Sequence, residues 1–105
     1  MKKISKHAIR ADGTEVWYCD LNGVAPTYHR ENGPAIIHAN GNKLWYFHGK
    51  AHRRDGPAKE YTNGRMEWWL NGKRLDPKDY VNDYAFKRKH PDLVASMLIY
   101  LVHKT

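Results

Sequence analysis

At 105 residues the chain has room for one hydrophobic core and not for two independent ones. Aromatic residues make up 12% of it, far more than a disordered chain carries. Its formal net charge of +7, from 18 Lys and Arg against 11 Asp and Glu, favours anionic partners such as nucleic acid or an acidic protein surface.

Met1-Lys2-Lys3 opens the chain, and alternating polar and charged residues follow without the apolar core of a signal segment. The first element is a hairpin around Asp12-Gly13, with β-branched and aromatic residues on either side. The same pattern returns at Asn40-Gly41 and at Asn63-Gly64. Three segments align without gaps: Ala11 to Tyr18, Ala39 to Tyr46 and Thr62 to Trp69. Each is followed by a second turn, at Asn22-Gly23, His48-Gly49 and Asn71-Gly72. Between units lies a third signature, His29-Arg30-Glu31-Asn32-Gly33-Pro34-Ala35, which returns as His52-Arg53-Arg54-Asp55-Gly56-Pro57-Ala58. Internal repetition of this kind is the mark of a repeat architecture.

Asn-Gly and Asp-Gly supply the positive φ angles of two-residue type I′ turns. Each unit is therefore predicted as strand, tight turn, strand and Gly-Pro loop, with Pro34 and Pro57 marking where a strand begins. A two-residue turn at Asp12-Gly13 pairs Ile9 with Val16 and Arg10 with Glu15. Alternation then gives two faces. One carries Trp17, Trp45 and Trp68 with Cys19, Phe47, Leu70, Ile36, Tyr61 and Met66, and is the expected core. The other carries Ile9, Val16, Ile37 and Leu44 and an aromatic row of Tyr18, Tyr46 and Trp69. That second face turns polar at Glu60 and Glu67 and is expected to be partly open there.

Beyond residue 75 the pattern becomes helical. Asp76-Pro77 reads as an N-cap followed by proline at the first helical position. One helix is predicted from Pro77 to about Lys89, with Tyr80 and Tyr84 on one face, and a second from about Pro91 to His103. Leu93, Val94, Met97, Leu98, Leu101 and Val102 form a broad apolar stripe on the second, interrupted by Ser96. The stripe must bury against the sheet, as the cap that a repeat array needs, or against another copy of the chain. At about ten residues this apolar run is too short to cross a bilayer. The expected fold is α+β: one domain over residues 1–105, with an antiparallel meander of three β-hairpin repeats at 7–75 and a pair of helices at 76–105.

Trp45-Tyr46-Phe47-His48-Gly49-Lys50-Ala51-His52-Arg53-Arg54-Asp55-Gly56-Pro57-Ala58 resembles the MORN-like repeats of small bacteriophage and bacterial proteins. The resemblance covers roughly residues 8 to 75; the tail lies outside it, and the first unit departs through Ala25-Pro26-Thr27-Tyr28 inserted ahead of His29. It implies an interaction module, with antitoxin-like or immunity partners among the bacterial examples and small accessory proteins among the phage ones. It says little about activity.

Recurring His, Arg and Asp argue against an active site, because the repeating fold accounts for them and an active site normally occurs once. No catalytic residue is assigned. Seven histidines invite a metal reading, but the sequence offers a single cysteine, Cys19, and one His per repeat loop, without a cluster of ligands. No metal or cofactor is expected; His29 and His52 are read as hydrogen-bonding the Gly-Pro loop. A lone cysteine also fits a reducing compartment.

Binding is where the residues add up. Arg30, Lys50, Arg53, Arg54, Lys73 and Arg74 lie in or beside the repeat loops, and Lys87-Arg88-Lys89 ends the first tail helix. With Tyr18, Tyr46 and Trp69 they are the candidate contacts for RNA or a protein partner, since bases stack on rings while cations meet phosphates. The leading expectation is a non-enzymatic phage protein that binds and inhibits a host defence component in the host cytoplasm. A toxin endoribonuclease is one such target, with RNA taking part in the contact. The alternatives are a stand-alone RNA or single-strand binder, and a structural or assembly protein that dimerises through its last helix.

Overall fold

Every strand pairing among the described residues is antiparallel, and the helices gather at one end of the resulting meander. The computed structural model describes residues 5–19 and 26–104, so the turn predicted at Asn22-Gly23 lies outside the described residues. Among the described residues ten strands run in chain order: β1 (Lys6–Ile9), β2 (Glu15–Cys19), β3 (Thr27–Tyr28), β4 (Ile36–Ile37), β5 (Lys43–Leu44), β6 (Tyr46–Phe47), β7 (Lys50–Ala51), β8 (Lys59–Glu60), β9 (Met66–Leu70) and β10 (Lys73–Leu75). Three helices follow: α1 (Pro77–Tyr80), α2 (Tyr84–Lys89) and α3 (Pro91–Lys104). The sheet order is β1-β2-β4-β5-β8-β9-β10, with β3 beside the far half of β2 and β6 and β7 as a ribbon of their own. The class is α+β, as the repeats and tail predict.

The two kinds of turn differ, and the difference resets the register. At His48-Gly49 and Asn71-Gly72 both central residues have positive φ, +50° and +79°, then +48° and +82°. These are the predicted two-residue I′ turns, pairing Phe47 with Lys50 and Leu70 with Lys73. The turns at Gly13, Gly41 and Gly64 close over three residues instead. Arg10 N–H donates to the Thr14 carbonyl at 2.8 Å and Gly13 N–H to the Arg10 carbonyl at 2.9 Å. His38 with Asn42 and Tyr61 with Arg65 repeat the pattern. Each is a β-turn followed by a left-handed glycine, the three-residue hairpin loop. The Asp12, Asn40 and Asn63 side chains accept from the N–H two residues on, at 2.8, 3.0 and 2.9 Å.

One extra loop residue moves each preceding strand to the opposite face. Ile9 sits opposite Glu15 and not Val16. Ile36 leaves the tryptophan face and pairs with Val16 and Leu44. Trp17 and Trp45 are half-buried, so of the three tryptophans of the predicted core only Trp68 is fully buried; Cys19, assigned to the same face, is buried as well. Glu67, expected on an open polar face, is buried among its own ion pairs.

The main apolar cluster lies where the third unit meets the tail: Trp68 and Leu75 from the sheet, with Val81, Leu93, Val94 and Met97. Full burial of each large apolar side chain stabilises by about 1.5–3 kcal/mol, so this junction anchors the array. Trp68 Nε1–H donates to Ser96 Oγ at 2.8 Å, and Ser96 donates to the Leu93 carbonyl at 2.7 Å. The polar break in the apolar stripe is thus the partner of the buried indole. Through these residues α3 packs on its own sheet.

The single helix predicted over 77–89 is two. Asp76 caps α1 as expected, but Asp83 accepts from Phe86 N–H at 3.0 Å and starts a new helix. The break takes Tyr84 out of the face shared with Tyr80. Tyr80 packs against Phe86 at 4.6 Å between ring centres, while Tyr84 is exposed.

Candidate nucleic-acid interface

Successive repeats are joined by the same hydrogen bonds twice. His29 Nδ1 accepts from His48 N–H at 3.0 Å, and His52 Nδ1 from Asn71 N–H at 2.9 Å. Arg30 and Arg53 N–H donate to the Tyr46 and Trp69 carbonyls, both at 3.1 Å. Gly49 and Gly72 N–H donate to the Tyr28 and Ala51 carbonyls at 2.8 and 2.9 Å. At the opposite hairpin ends, Ala39 N–H donates to Thr14 Oγ1 and Thr62 N–H to Asn42 Oδ1. The repeat histidines therefore hold the first residue of the next I′ turn, where a left-handed backbone leaves its N–H pointing away from the turn. They do not hydrogen-bond the Gly-Pro loop, as the sequence suggested.

The repeat arginines are equally structural. The Arg30 guanidinium carbon lies 3.8 Å from the centre of the Trp17 ring, and that of Arg53 lies 4.0 Å from Trp45. Each donates to the proline carbonyl four residues on, Pro34 or Pro57, at 3.1 Å. Arg53 also meets Asp55 at 2.8 Å and Glu60 at 2.9 Å. Two of the predicted contact residues are thus engaged within the fold. At the third unit no such arginine follows Trp68, and α3 takes its place.

Cys19, His29 and His48 bring a sulfur and imidazole nitrogens within 4.8 Å of one another, a grouping the sequence did not reveal. The hydrogen bonding speaks against a metal there. An Nδ1 that accepts the His48 N–H leaves the His29 proton on Nε2, whereas a ligating imidazole presents one bare nitrogen and donates from the other. His52 makes the same bond to Asn71 with no cysteine nearby in sequence, so the joint explains the histidine without a metal.

The other face of the sheet gathers aromatic rings and cations. Tyr18 lies opposite Tyr28 on one side and Lys6 on the other. Tyr28 and Tyr46 are 5.7 Å apart between ring centres, and Arg10 donates to the Tyr28 hydroxyl at 2.7 Å. Lys59 Nζ lies 4.6 Å from the Trp69 ring centre. Trp69 Nε1–H donates to Glu67 Oε1 at 3.1 Å, and Glu67 Oε2 faces Arg65 at 3.0 Å and Arg74 at 3.8 Å. Tyr18, Tyr46 and Trp69 are all half-buried, which leaves ring surface open. Burial pushes the Tyr46 hydroxyl above its ordinary pKa, with Tyr28 and then Glu67 adding to the shift. Both rings and cations of a stacking surface are therefore present on one face.

Of the predicted contact residues, this face brings together Tyr18, Tyr46, Trp69 and Arg74. Lys50 and Lys73 are exposed just after the two I′ turns. Arg54 is exposed in the second Gly-Pro loop. Lys87, Arg88 and Lys89 form the exposed last turn of α2, where they suit the helix dipole. Sequence reasoning put Lys6, Arg10 and Lys59 on the other face, because their place here follows from the three-residue turns; it put Arg65 on this face without naming it a contact, and did not place Tyr28, which the β2–β3 pairing brings in. No helix among the described residues is long and apolar enough to cross a membrane. The chain matches no protein-family model, no curated protein and no solved structure.

Proposed function

We propose that the chain is a non-enzymatic interaction protein whose working surface is the aromatic–basic face of the sheet. Its ligand there is single-stranded RNA held by a host protein, such as a toxin endoribonuclease carrying its RNA. One observation carries the reading. Tyr28, Tyr46 and Trp69 lie among Arg10, Lys59, Arg65 and Arg74, with Glu67 as the neighbouring carboxylate. Rings offer stacking to any base, and the cations exceed what the one carboxylate neutralises. The MORN-like residues supply the setting: a phage-encoded counter-defence protein acting in the host cytoplasm.

The test is affinity capture from host lysate with and without ribonuclease. The reading expects a retained host ribonucleoprotein that ribonuclease releases. Absence of any retained RNA at low salt contradicts it.

A second reading, direct protein contact or self-association through α3, rests on a different observation. Leu98 and Ile99 stay exposed after α3 has capped the sheet, beside a groove of about 570 Å³ that Met66, Ile99 and Tyr100 help line. Light scattering separates the two, since an α3-driven dimer dissociates on Ile99→Ser without loss of RNA binding.

A further inference from the structure

On the tryptophan side of the sheet, away from the aromatic–basic face, four segments meet around a hollow of about 660 Å³. His52 and Arg54 reach it from the second Gly-Pro loop and Asn71 from the I′ turn at Asn71-Gly72. Lys89 and His90 come from the end of α2, and Asp92 from the start of α3. We propose that this hollow is a phosphate-binding site, built from Arg54, Lys89, His52, His90 and Asn71 and suited to the phosphomonoester of a mononucleotide or to free phosphate.

The chemistry of the lining supports a dianion. Arg54 offers a planar fork of donors and Lys89 an ammonium, both exposed and able to turn toward a ligand. His52 accepts from Asn71 N–H through Nδ1, which leaves Nε2–H as a donor. Asp92 is the one carboxylate on the wall and does not balance the two permanent cations. Both histidines lie close enough to those cations to feel them, although burial is the larger influence on each. His52 is held below its ordinary pKa by burial, then by Arg54 and His90; His90 is held down by burial, then by Lys89 and Arg54. The cationic part of that environment favours an anion, and a bound phosphate dianion raises both pKa values.

The site is independent of the RNA reading, because it uses neither the tyrosine row nor Trp69. Its test is a titration of the full chain with inorganic phosphate and, separately, with adenosine 5′-monophosphate, at constant ionic strength made up with chloride. Imidazole resonances are followed by NMR. The proposal expects saturable shifts of His52 and His90 together, a rise in both pKa values, and no change at His29, which reports the intact fold. Arg54→Gln with Lys89→Gln weakens binding by about tenfold or more while His29 stays unchanged. Tighter binding of the nucleotide than of phosphate identifies the phosphomonoester as the ligand, and equal binding identifies the phosphate group alone. No saturable shift at His52 and His90 with either compound overturns the proposal, as does full binding by the double variant.

Discussion

The Arg53 guanidinium carbon sits 4.0 Å from the centre of the Trp45 ring, and a methyl group at Gly56 would come within 2.9 Å of the same carbon. A side chain at this glycine of the Gly-Pro loop would therefore have to displace the arginine from the ring it packs on. Gly33 and Arg30 repeat the approach at 3.0 Å. Gly56→Ala is expected to cost about 1–3 kcal/mol, as overpacking does. Urea denaturation measures it, and the cost shrinks when Arg53 is already alanine. Additive costs in that cycle contradict the crowding account.

Lysine cannot replace Arg53. The planar group stacks on Trp45 while donating to Pro57, Asp55 and Glu60, which a single ammonium cannot reproduce. Arg53→Lys and Arg53→Ala are expected to lower stability by similar amounts, about 1–3 kcal/mol. A lysine variant as stable as the parent refutes the geometric role.

The two joint histidines differ in burial, and their alanine variants should differ accordingly. His29 is fully buried, so His29→Ala leaves a cavity and is expected to cost about 2–5 kcal/mol. His52 is partly open and its bond to Asn71 is reachable by water, so His52→Ala costs about 0.5–1.5 kcal/mol. Equal costs would mean that the hydrogen bond, and not the packing, dominates the joint.

Stability should fall with acid below the ordinary histidine range. His52 and His90 have pKa values lower in the folded protein than the unfolded value of 6.5. The unfolded chain therefore binds more protons just below that pH, and stability drops as pH falls from 6.5 through the folded values. For His52 there is a structural cause, since a protonated Nδ1 can no longer accept from Asn71 N–H. Urea midpoints measured across this range check the sign. In His52→Gln the slope should flatten, and an unchanged slope assigns the effect elsewhere.

On α3 the buried and exposed sides should separate cleanly. Met97 is fully buried against Trp68 and its cluster, so Met97→Ala costs about 2–5 kcal/mol. Ile99 is 60% exposed, so Ile99→Ser stays within about 0.5 kcal/mol. Thermal unfolding of the two variants measures the difference.

The repeat, the I′ turns, the Asp76 cap and the apolar stripe of α3 were legible in the sequence, because each depends on local residue chemistry. The register was not. Asn71-Gly72 and Asn63-Gly64 are the same dipeptide, yet one closes a two-residue turn and the other ends a three-residue one. The distinction lies in which backbone groups pair across the strands, and alternation of residues is compatible with either. That single ambiguity misplaced Ile36 and Glu60, and it hid Arg10 and Lys59. The Arg30 and Arg53 stacks were hidden for another reason: an arginine in a repeat loop looks the same whether it faces solvent or a ring one unit away. Asp83 was hidden inside a helical pattern, where only the cap it forms reveals the break.

The most direct test of the aromatic–basic face is fluorescence anisotropy of a labelled single-stranded oligoribonucleotide, titrated with the parent chain and with Trp69→Leu. Base–ring stacking is worth about 1–3 kcal/mol, so the variant should bind roughly five- to 150-fold more weakly, with parent affinity falling steeply as salt rises. No saturable binding by the parent at low salt, or equal affinity of the folded variant, contradicts the account.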